Sequence, residues 1–203
     1  MLNKGIIVSI QMYSRETIEE MAIEAINAGA CALRTDKKIR LPLDKKIPII
    51  GLWKIRVNDP VKEAYITPTI NEVEKVASWS DFVAVDYREL NPDILKVSNY
   101  CREKKIKMVA DIATIQDYQN IKENDYYYTY IATTLSVFSS IYDPDFKILY
   151  ELIAAGEKNI IAEGNFKIRQ DVAKAYKIGI KNICIGGAIS NVYKLTQKFT
   201  SIQ

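Results

Sequence analysis

Histidine is missing from this 203-residue chain altogether. Its absence removes Ser–His and Cys–His nucleophilic mechanisms and most transition-metal sites. Acid–base work at neutral pH is left to Lys, Glu, Asp or Tyr. Cysteine is scarce as well. Cys31, Cys101 and Cys184 are odd in number and far apart, which argues against a disulfide framework or a zinc motif and fits thiols of a reducing compartment. No apolar run approaches the ~20 residues that span a bilayer. The start, Met1-Leu2-Asn3-Lys4-Gly5, lacks a basic region followed by an apolar one, so a cytoplasmic protein without membrane partners is expected. Charge of one sign is hardly in excess: the net is +3, with no basic block to serve as a nucleic-acid arm, and the expected partner is a small molecule. The first strand-like run also lacks a following glycine fingerprint, because Ser9-Ile10-Gln11 stands there instead.

What is present is an ordinary globular composition, 48% hydrophobic and 26% charged, at a length that suits one domain over residues 1–203. The organising stretch is Ile47-Pro48-Ile49-Ile50-Gly51-Leu52-Trp53-Lys54, an apolar run without alternation that reads as a strand buried on both faces. An unpaired ammonium is costly to bury, so Lys54 is expected at the strand's mouth. Trp53 beside it reads as pocket lining or, in preference, as core packing. Other buried-looking runs also end on polar groups: Ser9 and Gln11, Arg34, Asp86, Asp111, Thr133 and Thr134, and Glu163.

Strands are predicted at 5–11, 31–34, 47–54, 81–86, 106–111, 126–133, 159–163 and 181–185. Helical patterns lie between them, bounded by Gly29, Pro92, Asp145, Gly156 and Gly179. The segment 37–46 is basic and weakly periodic, so the second helix is short or missing. Asn58-Asp59-Pro60 is a turn signal, and Tyr65-Ile66-Thr67-Pro68-Thr69 a structured loop. Strand–helix alternation at a spacing near ~25 residues is the signature of a compact α/β TIM (β/α)8 barrel. In such barrels the carboxyl ends of the strands carry the site, which is where the polar groups fall.

The Gly164-Asn165 turn after the seventh strand and Gly186-Gly187-Ala188 after the eighth read either as a phosphate cradle or as ordinary strand-to-helix turns. Lys54 and Glu163 form either an acid–base pair or a rim ion pair. Arg34 suits an oxygen-rich ligand, or a bridge to Asp36 or to a strand-end carboxylate. Asp111 and Asp86 are ligand acceptors or helix caps.

Eight blocks in order, among them Ile7-Val8-Ser9-Ile10-Gln11, Gly51-Leu52-Trp53-Lys54, Ala110-Asp111-Ile112-Ala113-Thr114, Thr133-Thr134-Leu135-Ser136 and Ala162-Glu163-Gly164, resemble the bacterial N-acetylmannosamine-6-phosphate 2-epimerases. The resemblance implies a TIM barrel that needs neither metal nor organic cofactor. It further implies interconversion of N-acetylmannosamine 6-phosphate and N-acetylglucosamine 6-phosphate in sialic-acid breakdown. By position Lys54 matches the catalytic lysine and Glu163 its carboxylate partner. Gln11, Arg34 and Asp111, with Ser9 and Thr133 nearby, match the polar residues around the sugar. Gly164, Asn165, Gly186 and Gly187 fall on the phosphate loops, where Asn165 and Gly187 replace the family's usual Arg and Ser. The expected assembly is a homodimer. Two rivals to this reading are another phosphosugar barrel, either an isomerase or an aldolase with a Schiff base on Lys54, and a non-catalytic sugar-phosphate-binding protein.

Overall fold

Short runs rich in Ile and Val are too brief for buried helices, and they become strands. The computed structural model describes residues 1–56, 64–88, 91–135 and 143–200. Its strands are β1 (Gly5–Ile10), β2 (Ala32–Thr35), β3 (Ile49–Gly51), β4 (Lys54–Arg56), β5 (Ala64–Ile66), β6 (Phe82–Asp86), β7 (Met108–Asp111), β8 (Tyr130–Ala132), β9 (Ile160–Glu163) and β10 (Asn182–Ile185). Eight of them close into a parallel barrel in the order β1-β10-β9-β8-β7-β6-β3-β2, and β4 and β5 pair separately as an antiparallel hairpin. The fold is the expected TIM barrel. The Asn58-Asp59-Pro60 turn and Ser136 lie outside the described residues.

The helices are α1 (Arg15–Asn27), α2 (Ile70–Ala77), α3 (Ile94–Lys104), α4 (Ile115–Glu123), α5 (Phe146–Ala154), α6 (Arg169–Lys177) and α7 (Val192–Thr200). Local chemistry sets their starts. The Ser14 hydroxyl accepts from Thr17 N, Thr114 and Asp117 form a capping box, and Asp145 accepts from Ile148 N. No α-helix follows β2. A single 3-10 turn at Leu43–Lys45 stands there, while Ile39 and Leu41 pack against the cluster of Val8, Ile10, Ile18 and Leu33 in a helix's place.

Alternation along each strand sorts the core into two layers. Inward positions Ile7, Ala32, Ile50, Phe82, Ala84, Val109, Tyr130, Ala132, Ile161 and Cys184 fill the barrel. Outward positions such as Val83, Val85, Ala110, Ile131, Ala162 and Ile183 meet the helices. Gly51 permits the closest of these contacts, because a Cβ there would lie 2.6 Å from Val76 Cγ1.

The structure corrects two predicted strands. The run 47–54 is not one strand. β3 stops at Gly51, after which Trp53 N donates to Thr67 Oγ1 (2.9 Å) and Thr67 N donates to Trp53 O (2.7 Å). The chain has changed pairing partner, and a hydrophobic pattern carries no record of partners. Trp53 is correspondingly 44% exposed rather than in the core, with the Lys75 ammonium 5.4 Å from its ring centroid. The stretch 126–133 yields only Tyr130–Ala132, because Asp125 is left-handed (φ 49°) and Tyr126 N bonds back to Ile121 O at the end of α4. Tyr126, Tyr127 and Tyr128 pack outside the barrel on the helix layer.

Candidate active site

Two residues beyond the last apolar inward position of most strands, alternation delivers one more inward side chain at the barrel's mouth. Ala32 leads to Arg34, Ala84 to Asp86, Val109 to Asp111, Ala132 to Thr134, Ile161 to Glu163 and Ile7 to Ser9. The mouth is therefore a polar ring set on a dry barrel.

Arg34 governs it. The side chain is 1% exposed and forks onto Asp111, with Nη1 donating to Oδ1 (3.1 Å) and Nη2 to Oδ2 (2.6 Å); Nη1 also lies 3.3 Å from Glu163 Oε2. β2, β7 and β9 are not neighbours in the ring, so this guanidinium ties separate parts of the barrel wall together. Burial alone would push the arginine down. The charges of Asp111 and Glu163 outweigh that and hold it above its ordinary value. Burial pushes the Asp111 carboxyl up, against the pull of Arg34. Arg34 Nε finds no acceptor among the described residues.

Thr134 joins the network with Oγ1 2.7 Å from Asp111 Oδ1 and 3.0 Å from Glu163 Oε2, so its single proton serves one carboxylate at a time. The buried Cys184 thiol stands in register with Glu163 on the neighbouring strand and is pushed well up by burial and by that carboxylate.

Thr133, predicted at the site, has its hydroxyl on the backbone of Glu163, donating to the carbonyl (2.8 Å) and accepting from the N–H (3.0 Å). The inward threonine is Thr134. The signal was in the sequence: counted in twos from the apolar inward residues, Thr134 keeps step and Thr133 does not. Cys184 keeps the same step, yet it reads as a core thiol until the pairing of β10 with β9 sets it in register with Glu163.

Ser9 Oγ accepts from Gln11 Nε2 at 2.9 Å, which keeps both on the rim at the end of β1. Asp86, open between ligand acceptor and cap, does not cap α3, whose N-cap is Asp93. Arg88 grips it through Nε (3.0 Å) and Nη2 (2.6 Å), and Arg88 N adds a third bond at 3.1 Å. Asp111 caps nothing either, since Thr114 caps α4.

Gly164 and Asn165 take successive left-handed conformations (φ 109° and 56°), a pairing that Gly permits freely and Asn tolerates better than most residues. Gly186 starts a separate turn in which Ile189 N and Ser190 N both donate to its carbonyl (2.9 Å each), so α7 begins only at Val192 and not directly on the glycines as predicted. The two turns enclose a cavity of about 240 Å³, lined by Thr134, Glu163, Asn165, Lys167, Cys184 and Gly187. Glu163, 13% exposed, looks into it.

Lys54 opens β4, opposite Ile66 of β5, and is exposed. β3, after which it follows, stands four strands from β9 in the ring of eight, and Lys54 is not among the residues lining the cavity that Glu163 faces. Among the described residues Lys54 makes no hydrogen bond or ion pair, and the cation beside Glu163 is Arg34.

The family model described as N-acetylmannosamine-6-phosphate epimerase (NanE) matches residues 18–203. Relatives bearing the provisional name N-acetylmannosamine-6-phosphate 2-epimerase include one from Clostridioides difficile strain 630, 29% identical over 96% of this chain and 93% of its own length. Another, from Clostridium perfringens strain SM101, is 29% identical over 98% of this chain and 96% of its own. A solved structure of the N-acetylmannosamine-6-phosphate 2-epimerase from Clostridium perfringens superposes with a TM-score of 0.83 at 27% identity, covering all of this chain and 95% of that one.

Proposed function

Because the chain belongs to the NanE family of N-acetylmannosamine-6-phosphate epimerases, we propose that it interconverts N-acetylmannosamine 6-phosphate and N-acetylglucosamine 6-phosphate by removing and returning the proton at C2. The observation that carries this reading is the Glu163 carboxylate, oriented by Arg34 and Thr134 on the wall of a cavity between two glycine turns. In the ring-opened sugar the C1 aldehyde acidifies the C2 proton. Lys54, as the base, takes that proton in its neutral form, which desolvation by a bound sugar favours. Glu163 works from the opposite side of the mouth, passing protons to and from the sugar oxygens during ring opening. Arg34 fixes Glu163 and Asp111 and supplies the positive field in which enolate charge develops. Gln11, Ser9 and Asp111 supply hydrogen bonds to the sugar.

The phosphate belongs at the two turns, where Gly164, Asn165, Gly186 and Gly187 bring backbone close to the cavity. A coupled assay that starts from N-acetylmannosamine 6-phosphate tests the activity itself; formation of the gluco epimer is expected, and its absence at high enzyme concentration would refute it. Borohydride added with substrate should leave Lys54 unmodified, since the mechanism contains no Schiff base. Unphosphorylated N-acetylmannosamine should turn over far less well than its 6-phosphate, and equal kcat/KM for the two sugars would remove the phosphate assignment.

Metal independence is the companion expectation. It follows from a chain with no histidine and with cysteines too scattered to act as ligands. Activity should survive exhaustive chelation; loss that a divalent ion then restores would overturn it. Among the described residues no helix is long and apolar enough to cross a membrane. The enzyme is proposed to work in the cytoplasm as a homodimer, for which the exposed apolar residues of α7 are the support.

A further inference from the structure

The charges around the cavity between the two glycine turns are few. Among the described residues Glu163 is the only carboxylate on its lining, and Lys167 the only cation. Arg34 adds no surplus positive charge, because its one guanidinium faces two carboxyl groups, Asp111 and Glu163. A phosphate monoester carries about −1.5 to −2 at neutral pH. Without Lys167 such a group would meet neutral turns on one side and a carboxylate on the other, and like charges repel strongly where water is thinned out.

Backbone donors do not make up the difference. In the second turn Ile189 N and Ser190 N both donate to Gly186 O, so two of its N–H groups are spent within the turn itself. In the first turn the side chain beside the left-handed Gly164 is the neutral amide of Asn165. The start of α6 at Arg169 supplies only roughly half an elementary charge. Arg169 itself lines a different groove, on the outer wall with Ile6 and Tyr176.

What keeps Lys167 at the cavity is its neighbour. Phe166 is 4% exposed, and its ring meets Phe146 of α5 edge-on, with centroids 6.1 Å apart, in the layer between barrel and helices. That anchor pins the middle of the loop from β9 to α6. Asn165 and Lys167, on either side of it, both line the cavity. Lys167 is exposed, so its charge carries no burial penalty.

We propose that Lys167 is the residue that selects phosphorylated sugars, its ammonium pairing with the phosphate between the two turns and offsetting the Glu163 carboxylate on the same wall. The assignment rests on the phosphate reading above and gives it a charged side chain. Lysine does this as a point charge on a flexible stem and not as a fork, so it reads charge more than shape.

The test compares the unaltered chain with Lys167→Met, Lys167→Arg and Lys177→Met, the last removing an exposed lysine of α6 that does not line the cavity. Circular dichroism should show all of them folded, since both lysines are exposed. In Lys167→Met the KM for N-acetylmannosamine 6-phosphate should rise about tenfold with kcat within about twofold, the pattern of binding lost equally from ground and transition states. The inhibition constant of inorganic phosphate should rise by a similar factor, and that of unphosphorylated N-acetylmannosamine should not follow. Lys167→Arg should restore phosphate binding, and Lys177→Met should match the unaltered chain. An unchanged KM in Lys167→Met overturns the proposal. So does an equal rise in Lys177→Met, which would mean a general field of the protein. A matching loss for the unphosphorylated sugar overturns it too, since that would mean a displaced loop. If the chain does not turn over the 6-phosphate at all, the activity reading fails first, and titration calorimetry with inorganic phosphate still decides the role of Lys167. Weaker binding to Lys167→Met than to the unaltered chain supports it; equal binding, or none to either, overturns it.

Discussion

Lys54→Met should lower the rate of epimerisation by about 10²–10⁴-fold, the usual cost of losing a general base. Exchange of the C2 proton with deuterated water should fall by the same factor, because both processes break the same C–H bond. The substitution suits the site. Lys54 is exposed and unpaired among the described residues, so its charge supports no other contact, and methionine keeps a long apolar stem opposite Ile66 in the hairpin. Thermal stability should hardly change, and substrate should still bind, since the glycine turns and the Arg34 network are untouched. Isotope exchange at near-normal rate in the variant would move the base elsewhere, with Glu163 next in line. Loss of binding together with exchange would make Lys54 a clamp on the ligand and not a base.

Arg34→Met should act on the fold as well as on the reaction. Asp111 is fully buried and owes its charge compensation to the Arg34 fork. Removing one partner of such a pair typically costs about 3–5 kcal/mol, because the other charge stays buried without its counter-ion. The loss should depend on pH, and the sign can be worked out. Burial already holds the Asp111 carboxyl above its ordinary value against the pull of Arg34, so without Arg34 it moves higher still. A carboxyl whose folded pKa lies above its unfolded one binds protons more tightly when folded. Its contribution is fully present below the unfolded value of about 3.9 and is lost as pH rises through the folded value. The variant's deficit relative to the unaltered chain should therefore be smaller at pH 5 than at pH 7.5 in urea titrations. Adding Asp111→Asn should recover a large part of it by removing the orphaned charge. A deficit below about 1 kcal/mol, constant across that pH range, would show that the fork contributes no more than a surface pair does.

The same mouth joins carboxylates to arginines, Asp111 and Glu163 to Arg34 and Asp86 to Arg88. With no histidine in the chain, the proposed proton transfers need groups whose charge state the surroundings set. A dry barrel below and a polar ring above provide two such surroundings a few ångströms apart. Arg34 sits at the boundary and holds Asp111 within the dry side while it orients Glu163 toward the cavity.

By itself the sequence determined the strand–helix alternation, because burial on both faces writes each barrel strand as an unbroken apolar run and each helix as a capped, periodic one. It also limited the second helix to a short or missing one, since residues 37–46 are weakly periodic, and it placed the polar strand ends that form the mouth. Only the tertiary structure decided which strands pair. Ile47 to Lys54 is one apolar run in the chain, yet it serves two sheets, because hydrogen-bond partners such as Thr67 come from elsewhere in the sequence. Strand parity already set Thr134 apart from Thr133 in the sequence, but that parity became a direction only once the barrel had an inside. Tertiary structure brought Arg34 to Asp111 across 77 positions of chain, a pairing that closure of the barrel alone produces. And it left α7 off its own barrel, because the exit beside Ser9 and Tyr13 is fixed by side chains distant in sequence, while helical periodicity records only that one face must be covered.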